Sequence, residues 1–294
     1  MELQVQLLMN TLQIGSVYVL FALGLTLIFG VMKIVNFAHG TFFTAAALIV
    51  ASVMMWGIGS MEMSVWLSYV LSFALALVAV CIIGFVVYVG GFQYVLKDLN
   101  GSFILSIGLL LLLNGTYLII WGGVPRSIPA VVPGTVTILG ASLTMQRLVL
   151  MIVAAVITIG LYILVHRTKL GLSLRAVAED QEAAALQGIP FRRVALYGFL
   201  IGATLAACAG ALMATVTPVT TVIGDDFLVK AFIIIIIGGL GSVVGAIIGG
   251  LLIALIESFG GYYFDPSTAT LVMFALVIVL LIVRPQGILG HAEK

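Results

Sequence analysis

Eight long stretches of the chain contain no Asp, Glu, Lys or Arg: Glu2 to Lys33, Lys33 to Glu62, Glu62 to Lys97, Asp98 to Arg126, Arg147 to Arg167, Arg193 to Asp225, Lys230 to Glu257 and Asp265 to Arg284. An ionised side chain in hydrocarbon is costly and rare, so the charges mark where the chain leaves an apolar medium. Each stretch supplies roughly the 17 to 25 residues a helix needs to cross about 30 Å of lipid. Charged residues make up 8% of the chain and the mean hydropathy is +1.32, whereas a globular surface needs about a quarter of its residues charged. Soluble, disordered and disulfide-scaffold folds are thereby excluded. A net charge of +1 also excludes nucleic acid as a partner, because that binding needs a concentrated basic face. The predicted fold is all-α: a polytopic transmembrane helical bundle of about eight segments, in one domain spanning residues 1–294.

One further uncharged run, Arg126 to Arg147, holds Pro125, Pro129 and Pro133 in or beside it, with Gly134 and Gly140. These make it a poor helix, and it reads as an extramembrane loop. The N-terminal run lacks a basic first region and a small-residue cleavage pattern, so it reads as a retained first span. Cys81 and Cys208 sit in apolar runs, where a thiol packs as a small hydrophobe.

The segment 166–193 carries Arg167, Lys169, Arg175, Arg192 and Arg193, five of the twelve basic residues. The positive-inside bias assigns it to the cytoplasm. Counting spans from there puts the N-terminus and the proline-rich loop outside, the turns at Lys33 and Lys97 inside, and Asp225 and Asp226 in an outside loop. A single span over 231–257 would then strand the tail with Arg284 and Lys294 outside. Gly238-Gly239-Leu240-Gly241-Ser242 is rich enough in glycine to break a helix, and a re-entrant pair turning near Gly241 would return the tail to the inside. Glycines also serve continuous spans in close contact, so both arrangements stay open. A similar interruption at Lys33 to Gly40 stands in the first half. Matching interruptions point to a substrate path, because unwound backbone offers polar groups inside lipid; a plain turn between helices reads equally well.

No lysine directly follows a glycine, so the chain lacks a Gly-x-x-x-x-Gly-Lys phosphate cradle, and any ATP must be handled by another subunit. No Asp or Glu is expected near the middle of a span, which disfavours a proton relay. Gly198, Gly202, Ala206 and Gly210 form a ridge of small residues, as do Gly241, Gly245 and Gly249. Such ridges serve as helix contacts or, less commonly, line a pore. Between Gly171 and Gly188-Ile189-Pro190 lies a stretch rich in Ala, Leu, Arg, Glu and Gln that predicts a short cytoplasmic helix or helix pair. Leu174, Val177 and Ala178 fall on one side at helical spacing. It reads either as an amphipathic linker lying on the membrane or as a peg that docks into a partner.

Gly171 to Gly188, with its Arg-Ala-x-Ala-Glu-Asp and Ala-Ala-x-x-x-Gly elements, resembles the coupling-helix loop of permeases in bacterial ABC importers. Asn36-Phe37-Ala38-His39-Gly40, the stretch from Ile237 to Ala246 and Arg284-Pro285-Gln286-Gly287-Ile288 resemble signatures of the branched-chain amino acid permease family, in particular the smaller of its two paired permeases. The resemblance covers essentially the whole chain. It implies a type II importer half in the bacterial inner membrane, with a second permease (a heterodimer by the family pattern), two ATP-binding subunits that hold ATP and Mg, and a periplasmic substrate-binding protein. The chain itself would hold no cofactor and no metal, and would not be an enzyme.

The resemblance also suggests roles. Arg175, Glu179, Asp180 and Glu182 would orient the peg on the ATPase, with Gly171, Ala176, Ala183, Ala184 and Gly188 keeping it slim. Asn36, His39 and Thr41, together with Gly238, Gly239, Gly241 and Ser242, would face the substrate path; alternatively the first three tie the break together as a structural network. Asp225 and Asp226 would contact the binding protein or stand as solvated bystanders. Urea or short amides are the alternative substrates, and a passive channel for a small polar solute, or a sodium-coupled transporter, the alternative classes.

Overall fold

The computed structural model describes residues 2–96, 98–284 and 286–289; Lys97, Pro285 and the tail at Lys294 lie outside the described residues. Its helices are α1 (Glu2–Met32), α2 (His39–Met61), α3 (Val65–Gly90), α4 (Leu99–Trp121), α5 (Met145–Arg167), α6 (Lys169–Glu179), α7 (Gln181–Leu186), α8 (Phe191–Met213), α9 (Ile223–Gly238), α10 (Val243–Tyr263) and α11 (Pro266–Val283). Eight of them are long and apolar enough to cross a membrane. Capping residues start many of them: Ser64, Asp98, Thr168, Ser242 and Asp265 each accept a bond from a backbone N–H three residues on, supplying a partner that the first helical turn otherwise lacks. The proline-rich run is a loop closed by a short hairpin, β1 (Thr135–Ile138) antiparallel to β2 (Ala141–Thr144) with Thr135 opposite Thr144. Gly140, with φ +85°, sits in its turn.

The core is built around α1, α2 and α8, which are buried along most of their length, while α3, α4, α5 and α11 turn most of their residues outward. Glycine sets how close the central helices come. A Cβ on Gly24 would lie 2.6 Å from the Gly202 carbonyl oxygen, and one on Gly202 would lie 2.7 Å from that of Gly24. Gly198 faces Val31 and Leu174, and Gly210 lies against the backbone of Phe43. The ridge on α8 is thus a set of contacts inside the chain. Gly245 likewise meets Gly238, and Gly249 meets Ile234.

The two halves repeat one plan in opposite directions. In the first, α1 crosses the bundle, residues 33–38 turn back inward, and α2 begins inside it: His39 packs on Phe21 of α1, with ring centroids 4.7 Å apart. In the second, α8 crosses the other way, residues 214–222 dip inward, and α9 begins beside Gly40 and Thr44 of α2. Helix α3 then packs on α8 as α10 packs on α1. The two helix starts meet where α8 is at mid-length. There Gly40 and Gly224 abut, and the rings of Phe43 and Phe227 stack with centroids 4.4 Å apart.

This corrects three expectations. The run between Lys230 and Glu257 is the broken helix expected near 231–257, but the break lies at the end of the bundle and not inside the membrane. Helix α9 ends at Gly238, Gly239 (φ +101°) and Gly241 (φ +84°) turn the chain, and α10 is a span of its own. That turn rests against Gly30 near the end of α1, so the inward interruption that matches 33–38 is 214–222. Asp225, half-buried, and Asp226, exposed, stand in the first turn of α9, next to the contact of Gly224 with α2, and not in a loop. The tail still returns to the end that carries α6 and α7, since the Ile288 and Leu289 amides donate to the Ile237 and Gly238 carbonyls. Helix α1 begins at the opposite end, where Gln6 accepts from the Ser142 amide of the hairpin.

Candidate functional site

Two places collect the residues singled out by the sequence. The first is the protrusion formed by α6 and α7 at the Met32 end of α1. A Cβ at Gly171 would collide with the Leu164 and Val165 carbonyl oxygens, so glycine allows α6 to fold straight back off the end of α5. Asp180 divides the helix pair: its carboxylate accepts from the amides of Glu182 at 2.8 Å and Ala183 at 3.0 Å, capping α7. Gln181 reaches the Val31 carbonyl at 3.4 Å. Gly188, with φ +80°, ends the unit, in the left-handed region that favours glycine.

The face expected to be open is closed: Leu174, Val177 and Ala184 are buried against the bundle. Spacing alone identified a face that needs cover, and α8 and α1 of the same chain provide it. What faces outward is Arg175, Glu179, Asp180, Glu182, Ala183 and Gly188, with Leu172 at 60% and Leu186 at 88% exposure. Ala176 is half-buried.

The second place is the start of α2. Asn36, His39 and Thr41 are wholly buried within the chain. Asn36 accepts from the Ala38 amide at 3.0 Å, Thr41 donates to the Ala38 carbonyl at 2.7 Å, and the His39 Nε2 lies 3.2 Å from the Phe21 carbonyl oxygen. Tyr117 of α4 donates to the Thr41 carbonyl at 3.2 Å. These contacts stitch the inward turn to α1 and α4. Among the described residues Asn36 Nδ2 and His39 Nδ1 have no hydrogen-bond partner. Across from them, Thr44 accepts from the Gly224 amide at 3.0 Å, and Asn114 donates to Asp225 at 2.9 Å. Gly238, Gly239, Gly241 and Ser242 are remote from this crossing: they form the turn at the α6–α7 end, where Ser242 caps α10 by accepting from the Gly245 amide at 3.0 Å.

The structure also brings together a group that sequence reasoning missed. Lys230 of α9 pairs with Glu257 of α10 at 2.6 Å and donates to the Tyr18 hydroxyl of α1 at 2.6 Å; that hydroxyl donates to Glu257 at 2.5 Å. Glu257, inside the span Val243–Tyr263 and bonded to Tyr18 near the midpoint of α1, thus overturns the expectation that no acid lies well inside a span. Lys230 and Glu257 had served as edges of an apolar run, and the one available signal was two opposite charges flanking a glycine-rich break.

Interrupted helices that start inside a membrane bundle are a feature of transporter folds, and similarity to known proteins decides the family. Residues 7–282 match the family described as branched-chain amino acid transport system, permease component. The chain belongs to that family. It is 32% identical to the high-affinity branched-chain amino acid transport system permease protein LivH of Escherichia coli and 30% identical to the corresponding protein BraD of Pseudomonas aeruginosa, over 98% of this chain and 96% of each relative. No solved structure matches it. As in that family, the chain is a transport subunit and not an enzyme.

Proposed function

We propose that this permease forms half of the translocation path of an ATP-driven importer of branched-chain amino acids. A second permease would complete the path, two ATP-binding subunits holding ATP and Mg would sit below, and a periplasmic binding protein would deliver substrate from above. The similarity to two permeases named for this transport, along nearly the whole chain, carries the reading. The end bearing α6 and α7, with Arg167, Lys169, Arg175, Arg192 and Arg193, is then cytoplasmic by the positive-inside bias. That leaves the start of α1 in the periplasm and the tail in the cytoplasm of the bacterial inner membrane. ATP-driven closure of the ATPase pair moves the α6–α7 protrusion and so tilts α5 and α8, to which it is joined; the contact of Gly24 with Gly202 is where α8 slides on α1 between two packings.

The test is reconstitution. The permease is expected to purify with ATPase subunits and a second permease, and leucine uptake into proteoliposomes should stop without ATP. Uptake that persists without ATP marks a passive channel, and uptake of urea but not leucine overturns the substrate. Glu179→Lys, on the outer face of α6, is expected to lower uptake about tenfold while leucine affinity of the binding protein stays unchanged; normal uptake and ATP hydrolysis would remove Glu179 from the docking surface.

Asn36, His39 and Thr41 hold the entry to α2 beside the path. Because His39 is enclosed, His39→Ala leaves a cavity and strands the Phe21 carbonyl, at about 1–3 kcal/mol. The expected result is a lower Tm and yield in detergent with the per-molecule uptake rate kept; a fall in rate at unchanged Tm places the imidazole on the path.

A further inference from the structure

The Lys230, Glu257 and Tyr18 cluster lies deep in the bundle. Tyr18 is near the midpoint of α1, and Lys230 is on α9, whose first turn abuts α2 at the mid-length of α8. The cluster is not sealed: the Lys230 and Glu257 side chains remain 24% and 27% exposed. Asp226, one turn before Lys230 on the same face of α9, is exposed. Among the described residues Lys230 has Glu257 as its ion-pair partner, and Asp226 is in no ion pair. At this depth charged side chains face the bundle interior or a water-filled cavity, because lipid does not solvate them. The outward faces of α3, α4 and α5 are aliphatic, as with Leu75, Leu111 and Val156, and so are Val229 of α9 and Leu255 of α10. What sets the surface at Asp226 apart is the charged group of Asp226, Lys230 and Glu257.

Two acids around one ammonium leave this surface one negative charge in excess. A dry contact between two proteins would leave that charge unpaired, at high cost. Water, or a passing cation, removes the cost. A zwitterionic α-amino acid matches what is displayed: its ammonium suits Asp226, and its carboxylate suits the remaining N–H of Lys230 a turn away. We propose that Asp226 and Lys230, with Lys230 held in place by Glu257 and Tyr18, line the water-filled path and contact the charged ends of an α-amino acid in transit. This rests on the amino acid importer reading above, and it assigns to the path a surface remote from the sequence signature at Asn36 to Thr41.

The experiment uses the full importer, with both permeases, the ATPase pair and the binding protein, in proteoliposomes. In a Cys81→Ala, Cys208→Ala background, Asp226→Cys is treated with a charged, membrane-impermeant methanethiosulfonate, which reacts only with thiols that water reaches. Leu111→Cys, on the aliphatic face of α4, is the lipid control. Asp226→Cys is expected to react at least tenfold faster than Leu111→Cys, and its labelling should abolish the leucine uptake that this variant retains. Asp226→Asn, which keeps the shape and loses the charge, is expected to cut leucine uptake about tenfold at unchanged yield of assembled complex. An assembled complex in which Asp226→Cys stays unreactive overturns the proposal, and so does normal uptake by Asp226→Asn. Failure of the importer reading is separate, since there the unmodified complex takes up no leucine.

Discussion

Gly224→Val is expected to leave little folded permease in the membrane, and Gly40→Val to do the same. A Cβ on Gly224 would run into the Gly40 carbonyl group and lie 2.7 Å from the Thr44 hydroxyl, and one on Gly40 would lie 2.7 Å from the Gly224 carbonyl oxygen. Both obstacles include main chain, which cannot rotate aside as a side chain does. Overpacking a tight core costs about 1–3 kcal/mol when side chains can adjust. Here the starts of α2 and α9 must move apart instead, which also breaks the bond from the Gly224 amide to Thr44, at about 1 kcal/mol. A sum of several kcal/mol is a large part of a typical stability of about 5–15 kcal/mol. Gly108→Ala is the control: a Cβ there meets nothing within 4 Å on α4, and alanine favours a helix interior over glycine by about 0.5–1 kcal/mol. Size-exclusion yield and Tm in detergent should fall sharply for Gly224→Val and hold or rise for Gly108→Ala. Equal behaviour of the two would show that the crossing of the half-helices is not a tight joint.

What could be read from the chain follows from which residues solvent penalises. The spans from Glu2 to Met32 and from Pro266 to Val283 end where charges begin, because at those points the charges do stand in water. The same rule failed at Lys230 and Glu257. Each charge is tolerated inside the bundle by the other and by Tyr18, which is 239 residues from Glu257 along the chain, and no local pattern encodes such a distant partner. The break at Gly238 to Ser242 was legible because glycines with positive φ leave a local mark. Its depth was not, since that depends on the contact with Gly30. The second inward turn, 214–222, was missed for a related reason: Thr215 and Val219 are satisfied by Gln146 and Arg126 far away in the chain, and the run looks like an ordinary loop. The family signatures identified the kind of protein. Asn36 bonds within the inward turn and His39 bonds it to α1, and the His39→Ala measurement separates a role in holding the turn from a role on the path.

Leu186→Asp is expected to lower ATP-driven uptake more than any charge change on the protrusion. Leu186 ends α7 at 88% exposure, followed by the exposed Gln187 and Gly188. Burying such a side chain in a partner pocket contributes about 1.5–3 kcal/mol, and most of the energy of a contact comes from a few anchors of this kind. Arg175, Glu179 and Glu182 are exposed, and an ion pair that such a side chain forms in water is worth about 0–1 kcal/mol. Aspartate at 186 loses the apolar burial, which alone should weaken association with the ATPase about 12- to 140-fold since each 1.4 kcal/mol is a factor of about ten, and its carboxylate in the pocket weakens it further. The substitution lies on an exposed side chain at the end of a short helix, so Tm and yield of the permease should hold. The readouts are co-elution with the ATPase and uptake per assembled complex. If the protrusion instead lies on the membrane as an amphipathic linker, Leu186→Asp loosens it from lipid but leaves co-elution intact, and that result would sink the docking role of α7.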